Sequence, residues 1–159
     1  MANINPKDFA KKLKELSEQI VKEVTNTQFM LELGGKASNL IFKRTRLGYG
    51  VSQQGSDKER LKPLSDSYKK VRKAHPQSTN TSPAKSNLTR TGEMLDAIQP
   101  IKTAIGSVTI GLKDSINSNK AQWNTEKGRP FMNLSSAEMK QIQNFLRDKI
   151  NSILDKLDK

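Results

Sequence analysis

GRPFMNLSSAEM, residues 128–139, is the stretch from which the rest of the chain is best read. Pro130 locks its own φ and biases Arg129 toward extended backbone. Ser135 and Glu138 form an S-x-x-E capping box, which starts a helix three residues before Met139. A stiff extended clip therefore runs straight into a helix. Phe131, Met132 and Leu134 lie in the clip, so its apolar side chains can be pinned on a core while the basic Arg129 stays outside. Pro130, Phe131 and Leu134 are its expected anchors. Phe131 reads either as core beneath the last helix or as an anchor for a neighbouring subunit. Nothing in the segment is catalytic chemistry.

Downstream, Met139, Ile142, Leu146, Ile150, Ile153 and Leu157 recur at three-and-four spacing, with Phe145 and Leu154 widening the stripe. This predicts a C-terminal helix over 136–158, about 33 Å long at 1.5 Å per residue. It is expected to form the backbone of the core, crossing a sheet and touching the first helix. That first helix is predicted over 6–25, with Asn5 as N-cap and Pro6 at the first turn. Its narrow apolar stripe, Phe9, Leu13, Leu16, Ile20 and Val24, must pack on something.

Between these helices the signals are shorter. A second helix is predicted from Thr27 to about Arg44, weakened at Gly34-Gly35, where the pair marks either close helix packing or a kink. Residues 43–60 carry three glycines and many polar groups and read as an exposed, mobile loop. Gly48, Gly50 and Gly55 lack the spacing of a dinucleotide fingerprint. A short helix over 66–74 is predicted to turn Tyr68 and Val71 inward and Lys69, Lys70, Arg72 and Lys73 outward. Residues 75–87 are polar, aperiodic and proline-containing, the composition of a second mobile loop. Thr91 is expected to cap a helix through Ile98 that buries Met94, Leu95 and Ile98. Pro100 ends it, and the alternation over 101–112 predicts a β-hairpin turning at Gly106-Ser107. Because two strands alone are marginal, further strands are expected from 43–60 or from another subunit. A polar stretch with Trp123 then leads back to the clip. The expected fold is a single α+β domain over 1–159: long N- and C-terminal helices packed on a small antiparallel β-sheet, with long polar loops.

Composition narrows the chemistry. The chain has no cysteine and one histidine, His75, so disulfides, thiolate sites and multi-histidine metal centres are excluded. No cofactor is expected. Asp96, Asp114, Glu126 and Glu138 are scattered and read as cap, turn, surface and capping box rather than as an acid–base pair. No apolar run approaches the ~20 residues of a membrane span, and the start MANINPKDFAKK lacks the apolar core of a secretory signal, so cytoplasmic synthesis is expected. The net charge is +12. Residues 43–90 hold twelve Lys or Arg against three acids, most of the excess. Such a stripe faces a polyanion or is merely a solvated, solubilising loop. Arg44, Arg46, Lys69, Lys70, Arg72 and Lys73 are its candidate channel or interface residues. Trp123 reads equally as core or as an exposed anchor. Arg90 and Arg129 read either as forks for an acidic group across an interface or as intrachain ion pairs.

Taken together, four runs resemble one known family. They are LKPLSDSYKKVRK (61–73), LTRTGEMLDAI (88–98), Ala121 with Trp123 and Asn124, and the clip GRPFMNLS (128–135). In order and spacing they are similar to the virion morphogenesis, or tail-completion, family of tailed bacteriophages over roughly 40–159. The resemblance implies a non-enzymatic structural protein of the virion, made in the host bacterial cytoplasm and located at the neck or tail. There it would complete the tail at the head–tail junction as a ring of copies of itself, a hexamer given the symmetry of such tails. Its implied partners are tail terminator, tail tube or head-connector proteins, with nonspecific contact to genomic DNA and none to membrane. The alternative from the residues alone is a small, basic, non-enzymatic nucleic-acid-binding protein, although Tyr49 and Tyr68 are too few to make a stacking platform in the basic region.

Overall fold

A computed structural model describes residues 6–52, 57–75 and 82–157. The chain is α+β: helices α1 (Pro6–Thr25), α2 (Thr27–Arg46), α3 (Asp66–Ala74), α4 (Glu93–Asp96), α5 (Ser115–Glu126) and α6 (Ser136–Leu157), with strands β1 (Tyr49–Val51), β2 (Lys58–Arg60), β3 (Ile98–Ala104) and β4 (Ser107–Leu112). The strands form two antiparallel pairs, β1 with β2 and β3 with β4. The terminal helices sit where the periodicity predicts. The N-cap expected at Asn5 lies outside the described residues.

The central element is α2, which packs on the β3–β4 hairpin and on both α1 and α6. Asn26 caps it by accepting from the Phe29 N–H at 2.8 Å. Its run across Gly34-Gly35 is unbroken, which resolves the choice between kink and close packing. A Cβ on Gly34 would lie 2.7 Å from Val108 Cγ2 and 2.9 Å from Pro100 Cγ, so only glycine lets helix and hairpin approach this closely. Gly35 faces open space. On the other side Phe29 stacks on Phe145 of α6, ring centroids 5.7 Å apart. The hairpin tip in turn closes α1, because the Gly106 N–H donates to the Thr25 carbonyl at 2.9 Å.

The hairpin starts three residues earlier than the alternation suggests, at Ile98, and carries a bulge between Pro100 and Lys102. Pro100 is therefore a strand residue rather than a stop. Ile105, expected in a strand, lies at the turn, 85% exposed. The core is built from Ile41, Met94, Leu95, Ile98, Ala121 and Phe131, with Phe42, Leu88, Ile110, Leu112, Met132 and Leu134 packed around it.

Three further expectations are corrected. The described residues of 43–60 are not a loop: they end α2 and then form the β1–β2 pair, with Tyr49 opposite Arg60, while residues 53–56 lie outside the described residues. These are the extra strands that were expected, yet they build a sheet of their own rather than extending the hairpin. The N-cap of the short helix is Gly92, φ +88°, not Thr91, and the helix stops at Asp96 so that Ile98 enters the strand. The polar stretch before the clip is α5, capped by Asp114, which accepts from the Asn117 N–H at 2.8 Å. That bond holds the Asp114 carboxyl below its usual range. Of the predicted loop 75–87, residues 76–81 lie outside the described residues. Asn87, at its end, is fully buried and accepts from the Thr89 hydroxyl at 2.6 Å.

The glycine pair yields a direct check. Gly34→Ala should destabilise by roughly 1–3 kcal/mol through overpacking against Val108 and Pro100. Gly35→Ala should stabilise by about 1 kcal/mol, since it gains helix propensity and meets no neighbour. Urea denaturation of the two variants measures both, and opposite signs are expected.

Candidate functional site

The clip is held from three sides. Its carbonyl at Pro130 accepts from the Val51 N–H of β1 at 3.1 Å, and Gly50 lets β1 come this near, since a Cβ there would lie 2.0 Å from that same oxygen. Arg129 donates from Nε to the Lys62 carbonyl and from Nη2 to the Pro63 carbonyl, both at 3.1 Å. It thus binds neutral backbone, neither of the two partners expected for it. Phe131 is fully buried, the core alternative.

The third side is Arg44, at the end of α2. The capping box forms as its spacing requires: Glu138 accepts from the Ser135 N–H at 2.7 Å and from the Ser135 hydroxyl at 2.9 Å. The same Glu138 oxygen takes the Arg44 Nη1, which also donates to the Asn133 carbonyl at 2.9 Å, while Nη2 donates to the Phe131 carbonyl. Arg44 is 5% exposed. As a channel or interface residue it is therefore a correction: the guanidinium knits the clip to α2, and its charge is already taken by Glu138. Burial pulls its pKa down, and Glu138 opposes that shift.

The other candidates scatter. Arg46 lies over the Phe42 ring at 5.4 Å. Lys69 pairs with Asp66 at 2.9 Å, which holds the Asp66 carboxyl low. Lys70, Lys73 and Arg90 are exposed. Arg72 is a second correction: α3 turns Arg72 inward, 2% exposed, and Val71 outward, 44% exposed. Nine residues are too few for periodicity to distinguish the two faces, and the Lys85 carbonyl, which accepts from Arg72 Nη1 at 2.8 Å, decides the outcome. The basic stripe is thus no continuous face. Its members divide between the clip, the surface of α3 and a groove.

That groove, about 1190 Å³, runs between the 62–72 segment, residues 88–94 and α5. The structure brings Arg72, Arg90 and Arg129 to it together with Trp123, which is 54% exposed. Trp123 is therefore not a core residue. Lys62, Lys120 and Lys127, all in the groove, were not singled out from sequence. Only the unrecognised helix α5 aligns Lys120, Trp123 and Lys127 on one side. Among the described residues no cluster of His, Asp or Glu could hold a metal ion, and no helix is long and apolar enough to cross a membrane.

No family model, no curated protein and no solved structure matches the chain.

The clamp predicts strong coupling. Arg44→Met or Glu138→Met alone should cost ~3–5 kcal/mol, because each strands a buried charge. The double variant should cost clearly less than the two together. A double-mutant cycle by chemical denaturation measures the difference, and strict additivity would show the pair to be independent.

Proposed function

We propose that this chain is a structural protein of a tailed-phage virion that completes the tail or neck at the head–tail junction. It acts by assembly, without turnover, as a ring of copies of itself around the DNA path, a hexamer in the resemblance described above. The ring meets a tail terminator, tail tube or head-connector protein, and the chain is made in the host cytoplasm before joining the particle.

The observation that carries this reading is the outer half of α1. Phe9 and Leu13 are 60% and 55% exposed, on a 20-residue helix whose inner stripe, Leu16, Ile20 and Val24, is partly covered. Large apolar side chains aligned on a projecting rod are a surface for a neighbour, and each one fully buried contributes about 1.5–3 kcal/mol. The motif residues behind the resemblance also serve shape. Leu95 and Phe131 fill the core, Thr89 is buried against Asn87, and Arg129 staples the clip. A body stiffened in this way suits a subunit that must present fixed faces to its neighbours on a ring.

Leu13→Asp tests the assembly surface without touching the core. The variant should melt at the parent temperature by circular dichroism, yet particles made with it should accumulate unjoined heads and tails. Electron cryo-microscopy of purified parent particles should show a ring of this chain at the neck. Finished particles that lack the chain overturn the proposal.

A further inference from the structure

Arg72 differs from every other buried charge described here. Arg44, equally enclosed, has a carboxylate. Arg72 has a single hydrogen bond, Nη1 to the Lys85 carbonyl, while its Nε and Nη2 are buried with no partner among the described residues. Burial lowers its pKa, and repulsion from the cation Arg90 adds to that while Tyr68 opposes it. A guanidinium enclosed without an anion costs free energy that a carboxylate would recover, and the unpaired Nε–Nη2 edge is the one that pairs side-on with two carboxylate oxygens.

Arg72 forms part of the wall of the α3–α5 groove, whose other charges leave it strongly electropositive. Six cations line the groove against one carboxylate, Glu93, which Lys120 already approaches at 3.5 Å. The two hydrogen bonds that Arg129 makes go to neutral carbonyls, so its charge is uncompensated. Apolar surface lies beside the charges. Trp123 and Ile116 of α5 are 54% and 67% exposed, and Lys127 Nζ sits 5.9 Å from the Trp123 ring centre, leaving part of the indole open. Anion recognition next to an exposed aromatic anchor is the combination used by grooves that take short peptide segments.

We propose that this groove is a docking site for an acidic segment of a partner protein, with an Asp or Glu carboxylate on Arg72 and Arg90 and a neighbouring apolar side chain against Trp123. Charge complementarity argues against a second copy of this chain, whose net charge is +12. The burial of Arg72 argues against nucleic acid as the occupant, because a guanidinium only 2% exposed suits one carboxylate on a slender side chain better than a run of bulky phosphodiesters. The site does not depend on the virion reading: a chain that forms no ring would still bind such a segment.

Trp123 is the sole tryptophan, so its fluorescence reports on this groove alone. The full chain is titrated with a synthetic peptide alternating Glu and Leu, with its Gln–Leu counterpart, with inorganic phosphate and with oligo(dT). The Glu–Leu peptide should saturate, and the Gln–Leu peptide should bind at least tenfold more weakly. Arg72→Met and the surface variant Arg90→Gln should each weaken Glu–Leu binding tenfold or more. Arg72→Met should also melt within a few degrees of the parent, because no carboxylate is stranded by its loss. Oligo(dT) or phosphate binding as tightly as the Glu–Leu peptide overturns the proposal, as does a marked loss of stability in Arg72→Met or unchanged binding in Arg90→Gln.

Discussion

One buried guanidinium organises this protein. Arg44 leaves the end of α2 and meets, in one place, the carboxylate of the α6 capping box and two carbonyls of the clip that precedes it. Each contact answers a need of its own. The clip is extended and has no helical partners for its carbonyls, the helix start presents unpaired N–H groups, and the arginine must find an anion if it is to be enclosed. Because Glu138 serves the Ser135 N–H, the Ser135 hydroxyl and Arg44 together, the geometry of the α6 start is bound to the end of α2, 94 residues away in the chain. The clip is also held by β1 through the Pro130 carbonyl, and Phe131 then closes the core.

A consequence is the division of the molecule into a stiff interior and faces left for others. The interior is α2 with the hairpin on one side, α6 on another and the clip at its end. Outward from it lie the first half of α1, whose Phe9 and Leu13 are more than half exposed, and the groove beside α5, whose cations have few anions among the described residues. Both are incomplete in the sense that neighbours inside the chain do not satisfy them: the first lacks apolar contact, the second negative charge. They differ in chemistry, so the surface that would satisfy one would not satisfy the other.

The two inward-turned arginines show how much context decides. Both belong to the same basic stretch, and in composition they are indistinguishable from the exposed Lys70 and Lys73. Arg44 ends in a network that holds the fold, and Arg72 ends at a groove with its Nε and Nη2 unpartnered among the described residues. A charge count over residues 43–90 suggests one continuous polycationic face. The folded chain takes members out of that face for two other purposes, so the count overstates what is left to attract a polyanion.

The sequence by itself determined the elements whose causes are local. These are α1 and α6 from their apolar spacing, the α6 start from Ser135 and Glu138, the extended clip from Pro130, α3 between Ser65 and His75, and the hairpin from its alternation. It concealed α5, because Ser and Asn are weak helix formers and Ala121 is the one buried residue of that helix, leaving no stripe to see. Asp114 was a cap signal that read instead as a turn. What only the tertiary structure decided is the central role of α2, the separate β1–β2 sheet, the burial of Arg44 and Arg72, and the groove around Trp123. Each of these depends on groups far apart in the chain arriving at one place: Gly34 beneath Pro100 and Val108, Gly50 against the Pro130 carbonyl, Glu138 beside Arg44. Periodicity and capping act over a few residues, whereas the destination of a charged side chain is set by which carbonyls and carboxylates the fold brings within hydrogen-bonding distance, and that is a property of the assembled chain.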